Sequence, residues 1–203
     1  CPRSDHAFAS SEAAKTSSAL LGLSQALSGA EDVSSVLARV VTAVPSIIDG
    51  SVVAAYRRDP KTGDFALVHQ RGLPAERTAT TPPIPAEIAN QFLGSFQEPF
   101  VMQREVVERV PAAFWLLDEP SDVLVAPMRW EPDELGALAM VTGADSSFSE
   151  RDRDLARGIA QIASLALGSA RRVSELERFH ELAETLDAIF WEADPQTLSF
   201  TFL

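Results

Sequence analysis

Cysteine is almost missing from this 203-residue sequence: Cys1 stands alone, so neither an intrachain disulfide framework nor a multi-cysteine metal cluster can be built. Lysine is nearly as scarce, and the 17 basic residues are outnumbered by 29 acidic ones, a formal net charge of −12. Such a surface repels phosphate backbones and excludes a generic nucleic-acid groove. No apolar run approaches the ~20 residues that a membrane-spanning helix needs, and no basic segment precedes an apolar one in the manner of a signal peptide. The 46% of hydrophobic and 23% of charged residues are ordinary for a globular chain. They suffice for one good core and part of a second. The sequence opens at Cys1 and stops mid-pattern in Thr201-Phe202-Leu203, and is expected to be a piece of a longer protein.

Two helices are expected first. Residues 1–10 are aperiodic and read as a leader. From Ser11, Leu20, Leu23 and Leu27 recur at helical spacing, with Gly29 where the helix would stop. Glu31-Asp32 opens a second helix striped by Val33, Val36, Leu37, Val40 and Val44, acidic residues suiting a helix start. After Gly50 the period drops to two. Ser51–Asp59 and Asp64–Arg71 read as a hairpin around Asp59-Pro60-Lys61-Thr62-Gly63, with Phe65, Leu67 and His69 on one face. The segment from Gly72 to Ser121 carries most of the 13 prolines and is expected to be broken up. A short helix fits Pro85–Leu93, a strand Pro99–Val107, and a helical turn or two Pro111–Leu117. Asp122–Trp130 and Leu135–Gly143, apolar on both faces, form a second hairpin at the sheet centre. Ser149 then caps a long helix. Its apolar positions Leu155, Ile159, Ile162, Ala166, Val173 and Leu176 give way to Phe179, Leu182, Leu186 and Ile189, a coiled-coil-type seam that changes register. The fold class is α+β: a central antiparallel sheet of five to six strands, terminal helices on one face, short helices and loops on the other.

That order, with particular residues in place, resembles the GAF domain family. The matching stretch is Val123-Leu124-Val125-Ala126-Pro127-Met128, then Leu135-Gly136-Ala137-Leu138-Ala139-Met140, then Phe148-Ser149-Glu150-Arg151-Asp152 leading into Ile162–Leu167. Met128 stands where the family usually has Leu. A second resemblance follows: Leu182 to Pro195, with Phe190-Trp191-Glu192-Ala193-Asp194-Pro195, looks like the opening of a PAS domain, with Leu198–Phe202 as its next strand. The expected organisation is a leader or disordered segment at 1–10, a GAF sensor domain at 11–172, a signalling or linker helix at 173–187 and a truncated PAS start at 188–203.

Several site chemistries bear on these residues. His180-Glu181-Leu182 resembles a histidine-kinase phosphoacceptor box, but Thr185 occupies the proline position, so His180 is taken as a polar residue flanking the seam. His69, a conceivable haem ligand, is taken as a hydrogen-bonded strand residue. A covalent bilin needs an internal cysteine, the cyclic-nucleotide motif of some GAF domains is missing, and mononuclear iron or iron–sulfur lacks ligands. The resemblance implies an apolar pocket between the sheet and the middle segment. Its candidates are Phe92, Phe96, Phe100, Met102, Phe114 and Trp115 facing Met128, Trp130 and Met140, with Arg104 as polar anchor. No cofactor and no metal are expected; the pocket either takes an unidentified small-molecule ligand or is filled by these same side chains.

The functional expectation is a non-catalytic cytoplasmic sensor module of a bacterial signalling protein, a homodimer through its terminal helices. Leu155, Ile159, Ile162, Ala166, Val173 and Leu176 would form the dimer and signalling helix. A downstream output domain in the same chain would respond: a histidine kinase first, a diguanylate cyclase or phosphatase otherwise. The alternatives are a ligand-free dimerisation module, or a GAF-fold enzyme. Methionine sulfoxide reductases on this fold need reactive cysteines, and a Gly-x-Ser-x-Gly elbow is missing.

Overall fold

Periodicity of 3.6 at both ends of the chain and of two in its middle produces helices packed on one face of a five-stranded antiparallel sheet. The computed structural model describes residues 16–30, 32–92, 97–130, 135–143, 146–185, 191–193 and 200–202. Helix α1 covers 16–27 and α2 Val33–Ala43, which continues into a single 3₁₀ turn, Val44–Ser46. The strands are β1 (Val52–Arg58), β2 (Phe65–Arg71), β3 (Phe100–Met102), β4 (Val123–Arg129) and β5 (Leu135–Val141), in the spatial order β2-β1-β5-β4-β3. Short helices α3 (Ala75–Thr80), α4 (Ala86–Phe92) and α5 (Arg104–Val107) and a 3₁₀ turn, Ala112–Phe114, lie between β2 and β4 in the chain. Helix α6 (Glu150–Thr185) follows the sheet. Two last strands, β6 (Trp191–Ala193) and β7 (Phe200–Phe202), pair antiparallel as a sheet of their own.

Alternation along the strands divides the core in two. Leu124, Ala126 and Met128 of β4 with Leu138 and Met140 of β5 pack against Leu23 and Leu27 of α1, Val36, Leu37 and Val40 of α2, and Leu155, Ile159, Ala163 and Leu167 of α6. Their neighbours Val125, Ala137, Ala139 and Val141 face the other way, toward Leu73, Ala89 and Leu116 of the middle segment. Gly136 permits the close approach of β5 to β1: a Cβ there would lie 2.9 Å from the Tyr56 carbonyl oxygen.

Three sequence expectations are corrected. First, β2 is not a regular strand. Ala55 pairs with His69 but Tyr56 with Leu67, so Val68 is a bulged residue. The extra residue reverses the parity. Phe65 and Leu67 pack with the middle segment, while His69 lies on the helical side, where its Nε2 is 2.8 Å from the Ser34 hydroxyl of α2. Second, the strand expected over Pro99–Val107 stops at Met102. The Asp122 carboxylate accepts the Arg104 backbone N–H at 2.9 Å and so caps α5. Third, the apolar stripe of α6 is two stripes. Leu155 and Ile159 are 4% and 0% exposed, enclosed by the chain's own α1, α2 and sheet, and offer nothing to a partner. Ile162 and Ala166 lie at the margin of that cluster. Val173 and Leu176 are exposed together with Leu165, Phe179 and Leu182.

Local signals in loops are used as their chemistry demands. Ser149 caps α6, its Oγ accepting the Asp152 N–H while Asp152 Oδ2 accepts both Ser149 N–H and O–H. Asp32 caps α2 by accepting the Ser35 N–H at 2.8 Å, which holds its carboxyl below the usual carboxylate range. Asp59 does the same for the Lys61 and Thr62 N–H groups in the hairpin turn, and is depressed by those bonds. Since both folded values lie below the unfolded one, near 3.9, the stabilisation is complete above that pH and disappears as pH falls through the folded values. The urea-midpoint difference between wild type and Asp32→Ala should therefore be full at neutral pH and shrink toward zero in strong acid. A difference that stays constant with pH would contradict the capping role.

Candidate functional site

The alternation that sends Met128 and Met140 to the helices leaves small residues on the opposite face of the same strands, and there a cavity of about 110 Å³ opens. Its floor is Tyr56, Phe65, Val123, Val125, Ala137 and Ala139 from the sheet. Its roof comes from Ile84, Ile88 and Ala89 around α4, Met102 and Val107 around α5, and Val110, Phe114, Trp115 and Leu116. A second recess beside Gln91 and Arg109, between α4 and α5, shares Ile88 and Val110 with it.

Polar groups behind the roof fix it in place. The Trp115 indole N–H donates to the carbonyls of Val107 (3.0 Å) and Val110 (2.9 Å), which spends its one donor and leaves an apolar ring against the cavity. Arg77 of α3 donates to the carbonyls of Trp115 and Leu117 at 3.0 and 3.2 Å and lies 3.6 Å from the Asp118 carboxylate. Gln70 holds α3 from the sheet side, donating to Thr78 Oγ1 and accepting the Leu73 N–H. Asp64 accepts the Ala86 N–H at the start of α4, and Phe65 and Ile84 exchange backbone hydrogen bonds of 2.8 Å each. The roof thus hangs from the edge strand β2 at several points.

Tyr56 is the polar exception in the floor. It is 4% exposed, its hydroxyl makes no hydrogen bond among the described residues, and burial pushes its phenol well above the usual range, so it stays neutral. No described lining residue carries a charge. Among the described residues no group of three or more His, Cys, Asp and Glu is placed to hold a metal.

Of the ten sequence candidates for the pocket, Met102, Phe114 and Trp115 line this cavity. Phe100 is half-buried in the same layer without lining it. Met128, Met140 and Trp130 are on the other face, packed with the helices. Arg104 is exposed and touches the cavity nowhere. Phe96 and the side chain of Phe92 lie outside the described residues, as does Cys1. Sequence reasoning missed Tyr56, Phe65, Ala137 and Ala139. The available signal was size by parity: large side chains at Leu138 and Met140, small ones between them. His180 is exposed on α6, far along the helix from the sheet.

No protein-family model matches the sequence, and no curated protein is similar to it. Solved structures are similar, several of them GAF domains. A GAF domain/HD domain protein from Geobacter sulfurreducens superposes with a TM-score of 0.60 at 22% identity, over 72% of this chain and 98% of that one. A methyl-accepting chemotaxis protein fragment superposes at 0.56 with 19% identity, over 76% and 98%. The free methionine-R-sulfoxide reductase from Neisseria meningitidis, solved with its substrate, superposes at 0.61 with 18% identity, over 79% and 93%. The chain has the GAF fold. No described helix is long and apolar enough to cross a membrane.

Proposed function

We propose that this chain is a non-catalytic sensory GAF module of a bacterial signal-transduction protein, in which small-molecule binding or dimer rearrangement is passed through α6 to a downstream output domain. One observation carries the reading: the cavity and the long helix lie on opposite faces of the same two strands. Val125, Ala137 and Ala139 border the cavity, while Leu124, Ala126 and Leu138, their chain neighbours, pack with Leu155, Ile159 and Ala163 of α6. A ligand that displaces the floor displaces the helix packing with it. Differential affinity for two helix arrangements, about 1–3 kcal/mol in typical couplings, is all that such a device needs.

The non-catalytic reading is supported by the lining. Its described residues include no Cys, His, Ser, Asp or Glu to act as nucleophile or base. Dimerisation is assigned to the exposed part of α6, Leu165, Val173, Leu176, Phe179 and Leu182, with Leu21 (61% exposed) on α1. Their spacings of eight, three, three and three carry the stripe around the helix, as in a seam that changes register. The pair β6 and β7 is read as the opening of a PAS domain that leads to the output domain, a histidine kinase by preference, in a cytoplasmic setting. Native mass spectrometry of freshly purified protein tests the reading. A co-purified small molecule whose removal alters the distance between spin labels on paired α6 helices is the expected result. Identical distances with the cavity emptied and filled would overturn it.

A further inference from the structure

We infer that the cavity selects a small neutral ring compound carrying one hydroxyl or carbonyl group, held by a single hydrogen bond to Tyr56; this rests on the reading of the cavity as a ligand site. Size sets the first limit. About 110 Å³ is somewhat less than the ~150 Å³ apolar cavity that holds a benzene molecule, so one six-membered ring with at most a single small substituent fills it. Shape sets the second. Phe65, Phe114 and Trp115 present aromatic surface, with the Met102 side chain beside them, and ring edges and thioethers pack well on such faces.

Charge sets the third limit. A carboxylate or ammonium inside this lining would be desolvated with no counter-ion among the described lining residues, which strongly disfavours it. Polarity sets the last. The Trp115 N–H is already spent on Val107 and Val110, whereas the Tyr56 hydroxyl, in a residue 96% buried, makes no hydrogen bond among the described residues. A hydroxyl in apolar surroundings without a protein partner favours whatever satisfies it. It can donate to a ligand carbonyl, or donate to and accept from a ligand hydroxyl. Tyr56 also lies where β1 pairs across the bulge of β2, a distortion found beside binding sites because it re-aims side chains.

The test is titration of the full 203-residue chain with phenol, toluene and benzoate, followed by calorimetry and by the amide NMR shifts of β5. Phenol is expected to bind with a Kd of roughly 0.1–1 mM, toluene about three- to tenfold more weakly, one hydrogen bond's worth, and benzoate at least about tenfold more weakly than phenol. Tyr56→Phe should bring phenol to the toluene value and leave toluene unchanged. Ala139→Leu, which fills the floor without touching the hydroxyl, should abolish both. Benzoate binding as tightly as phenol, phenol affinity indifferent to Tyr56→Phe, or no ring compound bound at about 10 mM would each overturn the proposal. A different co-purified molecule in that last case would leave the sensory reading standing. Phenol binding in the expected pattern with unchanged α6 distances would support the ligand class while removing the sensory reading.

Discussion

Gly72→Ala should destabilise the fold by about 3 kcal/mol or more, one of the largest effects of any single methyl group in this chain. Gly72 has a φ of +95°, a conformation that L side chains rarely adopt, and a Cβ there would stand 2.1 Å from the Ser51 carbonyl oxygen. That oxygen has no room to retreat. Ser51 is tied to the end of β5 by its N–H and its hydroxyl, both donated to the Val141 carbonyl at 2.8 and 3.0 Å. Relief must therefore come from moving β2 or the turn into α3, which carries the roof of the cavity. Urea unfolding followed by circular dichroism measures the loss. A variant within about 1 kcal/mol of wild type would show that the turn after β2 can relax in a way that this geometry excludes.

The second large effect separates the two stripes of α6. Leu167→Asp places a charge where the side chain is 0% exposed among α1, α2 and the sheet, and should cost at least about 4 kcal/mol, enough to unfold most domains of marginal stability. Leu176→Asp changes a side chain that is 69% exposed and should leave the melting temperature of the GAF unit nearly untouched. In a two-fold dimer the same substitution appears twice across one seam, so the dissociation constant should rise at least about thirtyfold. Sedimentation equilibrium at several concentrations reads this directly. Monomer at high micromolar concentration in the wild type, or a dimer indifferent to Leu176→Asp, would remove α6 as the seam.

Much of the architecture was legible because periodicity and turn chemistry coincide. Asp59 to Gly63 stands between two period-two segments, and Ser149 with Asp152 stands before a long apolar stripe; each signal has one physical reading, and the hairpin and α6 follow. Burial at Val36, Leu37 and Val40 likewise follows from spacing alone. What was not legible depends on partners distant in sequence. Phe65, Leu67 and His69 read as one face because a bulge at Val68 leaves no mark in composition. Val106 and Val107 read as strand because β-branched residues favour it, yet Asp122, far along the chain, caps them into a helical turn. Met128 and Met140 fall to the pocket in the reading that the resemblance implies. Parity could not say which face was which until α6 was seen to cover theirs.

The irregularity of β2 has a consequence for assembly. An open five-stranded sheet has two margins at which unsatisfied backbone groups could recruit a strand from another molecule. Here one margin, β3, is three residues long. The other, β2, is kinked at Val68 and already pairs at Phe65 with Ile84. Neither margin offers a straight run for an intruding strand. The same kink that turns His69 away from the cavity therefore also guards a concentrated solution of this domain against sheet-to-sheet aggregation.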